Sequence, residues 1–240
     1  MKHILVIDNH IDPPHGAPEI ARCLRLGLAP GEEIAIQTKR GPEQKYSTDT
    51  RDLMGVVISG SKTRVLENGP WINTQMEFVK TLRREKIPTL GICYGEQLMA
   101  KAFGGDTHVR TAPTCEFGFV KVKRTLQGKS SAIFSGLPEE FHSFCYHYDE
   151  VQKLPKGFVL TAFSDACEVH ALELDDAPMW GVQFHPEKDL AECRQSMAHI
   201  QKLDPKVPLL NAKAAESLFD PGVAQAIFKN FVKEARKFRR

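Results

Sequence analysis

No run of eighteen apolar residues occurs in this chain, which excludes a spanning helix of the usual hydrophobic length. Nor does charge of one sign dominate. The 32 lysines and arginines are offset by 30 aspartates and glutamates, a formal balance of +2, so neither a nucleic-acid-binding nor a membrane-surface role is expected. Internal repeats, low-complexity tracts and an evident interdomain linker are missing too. The nearest break, Pro205 to Asn211, lies too close to the C-terminus to divide the chain, so one domain over 1–240 is expected. The six cysteines (Cys23, Cys93, Cys115, Cys145, Cys167, Cys193) are scattered and show no paired metal spacing. In a chain of this length they read as free thiols of a reducing compartment, and a cytoplasmic protein is expected. His3, His10, His15, His108, His142, His170 and His199 show no ligand spacing either, and His147 and Asp149 fit a structural hydrogen-bonded pair as well as a functional one. No metal and no cofactor are expected.

What is present is an alternation of short apolar runs with helical patterns. Lys2 to Asp8 reads as a first buried strand rather than a secretory segment, because its apolar stretch is too short and no small-residue cleavage site follows. A turn-rich loop, Asp12-Pro13-Pro14-His15-Gly16, comes next. Pro18 to Leu28 has helical spacing, Glu33 to Thr38 alternates as a strand does, and Gly55 to Ser59 is a continuous apolar strand. Trp71 to Arg84 is helical and Ile87 to Ile92 is again a strand. Such βαβ alternation predicts an α/β fold with a doubly wound, mostly parallel sheet. After Gly104-Gly105 the texture becomes β-rich, with Phe117 to Lys123, Ser143 to Tyr148 and Phe158 to Phe163 forming a small antiparallel addition. Met179 to Phe184 is a further strand. Helices return from Asp189, and Ala224 to Phe238 is amphipathic, with Ile227, Phe228, Phe231, Val232 and Ala235 on one side.

The most informative residues are Gly91-Ile92-Cys93-Tyr94-Gly95. They follow an apolar strand and precede a helical pattern, Glu96 to Phe103. A cysteine flanked at two residues by glycine on a strand-to-helix turn is the thiol form of a nucleophile elbow. The tight turn excludes flanking side chains, and the helix start favours thiolate. A thiol nucleophile needs a base, and His185 is the candidate, at the end of Gly181-Val182-Gln183-Phe184. Glu187, across the stiff Pro186, is placed to fix the imidazole tautomer and stabilise the imidazolium.

Gly91-Ile92-Cys93-Tyr94-Gly95-Glu96-Gln97 together with Gly181-Val182-Gln183-Phe184-His185-Pro186-Glu187 resembles the class I, triad-type glutamine amidotransferases over roughly residues 1–187. The resemblance implies a flavodoxin-like fold and a glutaminase. In it Cys93 attacks the side-chain amide of L-glutamine, ammonia leaves, and water releases glutamate from a thioester. By the same resemblance Gln97 helps hold the substrate, and the residues matching Cys115-Glu116-Phe117-Gly118 line its side of the site. The oxyanion donors implied are the Tyr94 amide and the Ser59-Gly60-Ser61 loop. Many members carry two glycines and a proline there, whereas this chain has Ser61 and Lys62, which sets a side chain where close backbone approach is expected. That loop, Tyr146-His147-Tyr148-Asp149-Glu150-Val151, the turn Leu154 to Gly157 and Cys167 resemble the branch holding γ-glutamyl peptidases and GMP-synthase-like proteins.

Three functions stay open on these residues. The first is a glutaminase that passes ammonia to a separate synthase subunit. The second is a stand-alone γ-glutamyl peptidase acting on a γ-glutamyl small molecule. The third is a catalytically silent binding or regulatory domain. Residues 188–220 form an atypical insert before the final helix, to which the resemblance assigns no role.

Overall fold

The computed structural model describes residues 2–13 and 17–238. Pro14, His15 and Gly16 of the expected turn-rich loop lie outside the described residues, as do Met1, Arg239 and Arg240. Among the described residues no helix is long and apolar enough to cross a membrane.

The first half winds a parallel sheet. Its elements are β1 (His3–Asp8), α1 (Pro18–Leu26), β2 (Ala35–Arg40), β3 (Leu53–Ile58), α2 (Pro70–Arg84), β4 (Thr89–Ile92) and α3 (Tyr94–Gly104). A long β5 (Val109–Arg124) follows, then α4 (Leu126–Ser130), β6 (Glu140–Val151), β7 (Phe158–Phe163), β8 (Ala171–Leu174) and β9 (Met179–Val182). The chain ends with α5 (Leu190–Leu203), α6 (Ala215–Leu218) and α7 (Pro221–Lys237). All nine strands join one sheet in the order β2-β1-β3-β4-β9-β8-β7-β5-β6. The five strands from β2 to β9 run parallel, and β8, β7, β5 and β6 extend the sheet antiparallel. The mixed α/β architecture read from the sequence is therefore the fold, and the 2-1-3-4-9 order of the parallel part is the flavodoxin-like winding.

Strand alternation divides the core into two layers. Ile4 and Val6 of β1 pack with Ile20 and Leu24 of α1 and with Val223, Ile227, Phe228 and Phe231 of α7 on one face. Leu5 and Ile7 turn to the other face, against Ile72, Phe78 and Val79 of α2 and Leu98 and Met99 of α3. Parallel strands sandwiched in this way are buried on both sides, which is why β3, Leu-Met-Gly-Val-Val-Ile, reads as an unbroken apolar run.

The insert forms a third, smaller layer. Cys193 and Met197 of α5 and Ala215 of α6 pack on Phe119 and Phe144 of the antiparallel strands. Between the helices the chain crosses β5. Leu210 accepts from the Phe119 amide at 3.0 Å and donates to the Phe117 carbonyl at 2.7 Å, and Asn211 Nδ2 donates to the Phe119 carbonyl at 2.8 Å.

Candidate active site

The elbow is built by close backbone approach. Cys93 ends β4 with φ 51° and ψ −102°, a left-handed value uncommon for a side-chain-bearing residue. Its amide donates to the Val182 carbonyl at 2.7 Å, which ties the turn to the neighbouring strand β9. A Cβ on Gly91 would meet the Gly95 carbonyl carbon at 2.5 Å, and one on Gly95 would meet the Ile58 carbonyl oxygen at 2.4 Å. The two glycines are therefore needed for space. Tyr94 opens α3, where first-turn amides have no intrahelical acceptor. Its ring stacks on Trp71 at 5.6 Å, so the backbone and not the phenol faces the turn.

His185 and Glu187 sit just beyond β9 and are both buried. His185 Nδ1 bonds Glu187 Oε1 at 2.7 Å, and the His185 amide donates to the Phe144 carbonyl at 2.7 Å. With Nδ1 engaged by a carboxylate, Nε2 is the free nitrogen, and it has no hydrogen-bond partner. Burial lowers the basicity of this imidazole, but the charges of Glu187 and Cys93 outweigh it and raise its pKa to about 10. Glu187 is held below the usual carboxylate range. Burial opposes ionisation there, and attraction and hydrogen bonding to His185 overcome it.

Gly60 joins these groups. A Cβ at that position would lie 3.0 Å from His185 Cε1 and 3.7 Å from Cys93 Cβ, so imidazole and thiol flank the same backbone. The Cys93 Sγ itself points at the Tyr146 carbonyl, 3.9 Å away. Ser61, the residue that departs from the glycine expected by resemblance, turns its hydroxyl away and donates to the Asn9 carbonyl at 2.8 Å. Ser59 Oγ in turn accepts from the Asn9 amide at 2.8 Å and donates to the Gly60 carbonyl at 2.8 Å. The loop is thus pinned to the end of β1, with its side chains used as anchors.

Gln97 is buried on the first turns of α3. Its Nε2 donates to the Asp149 carbonyl at 2.7 Å and to Gln183 Oε1 at 2.9 Å. Glu116, Phe117 and Gly118, expected by resemblance on the substrate side, lie on β5. Glu116 turns both carboxylate oxygens into a buried cluster, accepting from Ser164 Oγ at 2.7 Å and facing His147 and His170 Nε2 at 2.9 Å each. Gly118 has φ 124°, and a Cβ there would meet the Leu210 carbonyl oxygen at 2.2 Å. It serves the crossing of the insert. Phe117 is buried against the rings of Tyr146 and Tyr148 at 5.3 and 5.0 Å, and it supports the strand whose carbonyl meets Cys93. Both Glu116 carboxylate oxygens are engaged within the buried cluster.

Two contributors lay outside the sequence reading. Arg22 of α1 donates from Nη2 to the Glu187 carbonyl at 3.0 Å and to Glu192 Oε2 at 2.8 Å, and from Nη1 to Asp189. It clamps the carboxylate loop to the start of α5, whose Asp189 and Glu192 form a capping box. Glu96, on the first turn of α3 after Cys93, is buried with neither carboxylate oxygen partnered. Burial, and next the charge of Cys93, push its pKa well above the ordinary carboxylate value. Neither residue carries a spacing signal, because each acts through contacts that only the fold creates.

Comparison with known proteins bears on the family and the fold. The family model of class-I glutamine amidotransferases matches residues 32–202. The chain is 37% identical over 184 residues to the glutamine-hydrolysing GMP synthase subunit of Methanocaldococcus jannaschii, covering 77% of this chain and 87% of that one. It is 37% identical over 190 residues to the protein of the same name from Methanopyrus kandleri, covering 79% and 91%. Among solved structures, a putative GMP synthase subunit from Thermoplasma acidophilum superposes with a TM-score of 0.71 at 26% identity, covering 100% of this chain and 96% of that one. The match over most of the chain, in sequence and in fold, places it plainly: this chain belongs to the class-I glutamine amidotransferase family.

Proposed function

We propose that this chain is a glutaminase subunit that hydrolyses L-glutamine through Cys93 and supplies ammonia to a synthase carried on a separate chain. The observation that carries the reading is the buried His185–Glu187 pair, its Nδ1 bonded at 2.7 Å and its Nε2 unpartnered, set against the same glycine as the elbow thiol.

The thiol gives its proton to His185 Nε2, and the sulfur attacks the amide carbon of glutamine. The oxyanion forms beside the Tyr94 amide and the Gly60-Ser61 backbone, whose donors are each worth about 10²–10³-fold in turnover. His185 then returns the proton to the departing nitrogen, and ammonia leaves as the thioester forms. A water, deprotonated by the same imidazole, attacks the thioester, and its proton passes to the sulfur as glutamate departs. Glu187 holds Nδ1–H throughout, so only one tautomer is available. Gln97 and the Tyr146 to Asp149 strand bound the glutamyl side. The relatives are glutamine-hydrolysing subunits of GMP synthase by name, which supports the ammonia-delivering version over a stand-alone peptidase.

Glutamate and ammonia are measured from the purified chain with L-glutamine and with γ-glutamyl dipeptides, alone and with the synthetase subunit of a GMP synthase. Release from glutamine that rises with the synthetase subunit and vanishes in Cys93→Ala is the expected result. Release from dipeptides alone replaces this reading with the peptidase. No release under any of these conditions overturns it.

A further inference from the structure

Beneath the strand that meets Cys93 lies a second constellation that the hydrolytic reading does not use. Glu116, His147, Cys167 and His170 each offer one ligand atom, and the four atoms lie within 4.8 Å of one another. All four residues are buried, at 1%, 2%, 0% and 0% exposure. Glu116 and His147 are cross-strand partners on β5 and β6. Cys167 and His170 form a Cys-x2-His pair on the turn between β7 and β8. We propose that these residues form a closed structural site for a zinc-class divalent ion.

Two imidazoles, a thiolate and a carboxylate are the donor set that selects zinc or cobalt over magnesium or calcium. Tetrahedral zinc at the usual bond lengths spaces its ligand atoms about 3.3–3.8 Å apart. The four atoms bracket that spacing, from the 2.9 Å contacts of Glu116 Oε2 with both Nε2 atoms to the 4.8 Å limit. One thiolate and one carboxylate neutralise a dication, which suits a site with no solvent access. Four protein ligands and full burial leave no open position, so the ion's role is structural.

For His147 the surrounding contacts are those that orient a metal ligand, whereas His170 Nδ1 is buried without a partner and the Cys167 thiol lies 3.2 Å from the Val169 carbonyl. His147 Nδ1 lies 3.1 Å from the Asp149 carbonyl. A carbonyl only accepts, so Nδ1 carries the hydrogen and Nε2 presents its lone pair to the cluster. Facing a carboxylate oxygen, that lone pair needs a proton or a cation between. Ser164 fixes the other side, donating to Glu116 Oε1 at 2.7 Å and accepting from the Cys167 amide at 2.9 Å. Glu150 Oε2, on the same strand as His147, is buried with no partner, and Glu150 lies in electrostatic reach of Cys167. Cys145 Sγ, 3.7 Å from His170 Nε2, is the one further thiol at the cluster.

The site connects to the candidate active site through one carbonyl. Asp149 O accepts from both His147 Nδ1 and Gln97 Nε2. An ion at the cluster therefore fixes the β6 segment that runs from Tyr146, beside the nucleophile, to Asp149.

The test uses the full chain in a Cys93→Ser background, so that the elbow thiol cannot contribute a ligand. The chain is produced in zinc-supplemented medium, dialysed exhaustively and assayed for metal. About one zinc per chain is expected. Cobalt replacing zinc is expected to give a thiolate-to-metal absorption band together with tetrahedral d–d bands. Cys167→Ser should remove the charge-transfer band, and His170→Gln should lower the bound metal at least tenfold. If either variant fails to fold, the spectrum of the Cys145→Ser protein decides which thiol binds, because the proposal requires the band to survive there. A folded chain that holds no stoichiometric metal and shows no cobalt spectrum and no rise in melting temperature with added zinc overturns the proposal. The cluster is then a proton-bridged network.

Discussion

His185 Nδ1 and Glu187 Oε1 are 2.7 Å apart across a single proline, both out of solvent. The bond decides which nitrogen faces the thiol, and it holds the imidazolium charged to unusually high pH. In the proposed reaction ammonia departs only while that imidazolium has a proton to give. The alkaline limb of turnover should therefore lie near pH 10, where His185 loses its charge. Glu187→Gln keeps the shape and removes the charge. It is expected to shift that limb to lower pH and to cut kcat by about 10²–10⁴-fold, read from kcat–pH profiles of the two proteins.

The same raised pKa has a consequence for stability. A histidine that binds its proton more tightly when folded adds stability that is complete below its unfolded value, near 6.5. That stability is lost as pH rises toward about 10. Urea midpoints measured from pH 6 to pH 10 should fall more steeply in the parent than in Glu187→Gln. Parallel curves would show that the pair is not charged.

Gly60 has room for a hydrogen and little else. A methyl there approaches His185 Cε1 at 3.0 Å, closer than relaxed contacts allow. Gly60→Ala should displace the imidazole from the thiol and reduce kcat by about 10²-fold. Because the loop is anchored through Ser59 and Ser61 to Asn9, the melting temperature should hold. Gly95→Ala differs in kind, since its methyl meets the rigid Ile58 carbonyl at 2.4 Å. It should cost about 1–3 kcal/mol of stability, seen as a lower denaturation midpoint.

Arg22 acts at one remove, holding the Glu187 carbonyl and the start of α5 together. Arg22→Ala should lower kcat about tenfold with KM nearly unchanged, and Arg22→Lys, which keeps the charge but not the fork, should recover only part. An equal rise in KM would point to a general loosening of the fold.

The elbow and the His-Pro-Glu turn were legible in the sequence because their physics is local. The Gly-x-Cys-x-Gly spacing and the His185–Glu187 pairing each lie within a few residues of chain, although the fold brings the two together. The apolar run of β1 and the stripe of α7 were equally readable, since β1 is buried on both faces and α7 on one. The four-residue β8 was missed, being too short to show a period. The buried contacts of Glu116 and Gly118 were not legible, for a different reason. Their environments are made by segments tens of residues distant, Ser164 with His170 in one case and Leu210 in the other. Cys167 and His170 do stand three apart, a spacing that signals a ligand pair only once a turn and two neighbouring strands converge on it.

The strap formed by Leu210 also bears on covalent integrity. On its N-terminal side α5 is fastened by Arg22, and on its C-terminal side α7 is sealed into the main core, while Leu210 and Asn211 are laced onto β5. The exposed stretch around 201–206 carries no comparable fastening. A chain severed there keeps the Arg22 ion pairs, the Leu210 and Asn211 hydrogen bonds and the packing of both halves, so the length of the polypeptide and the wholeness of the molecule are separable properties in this fold.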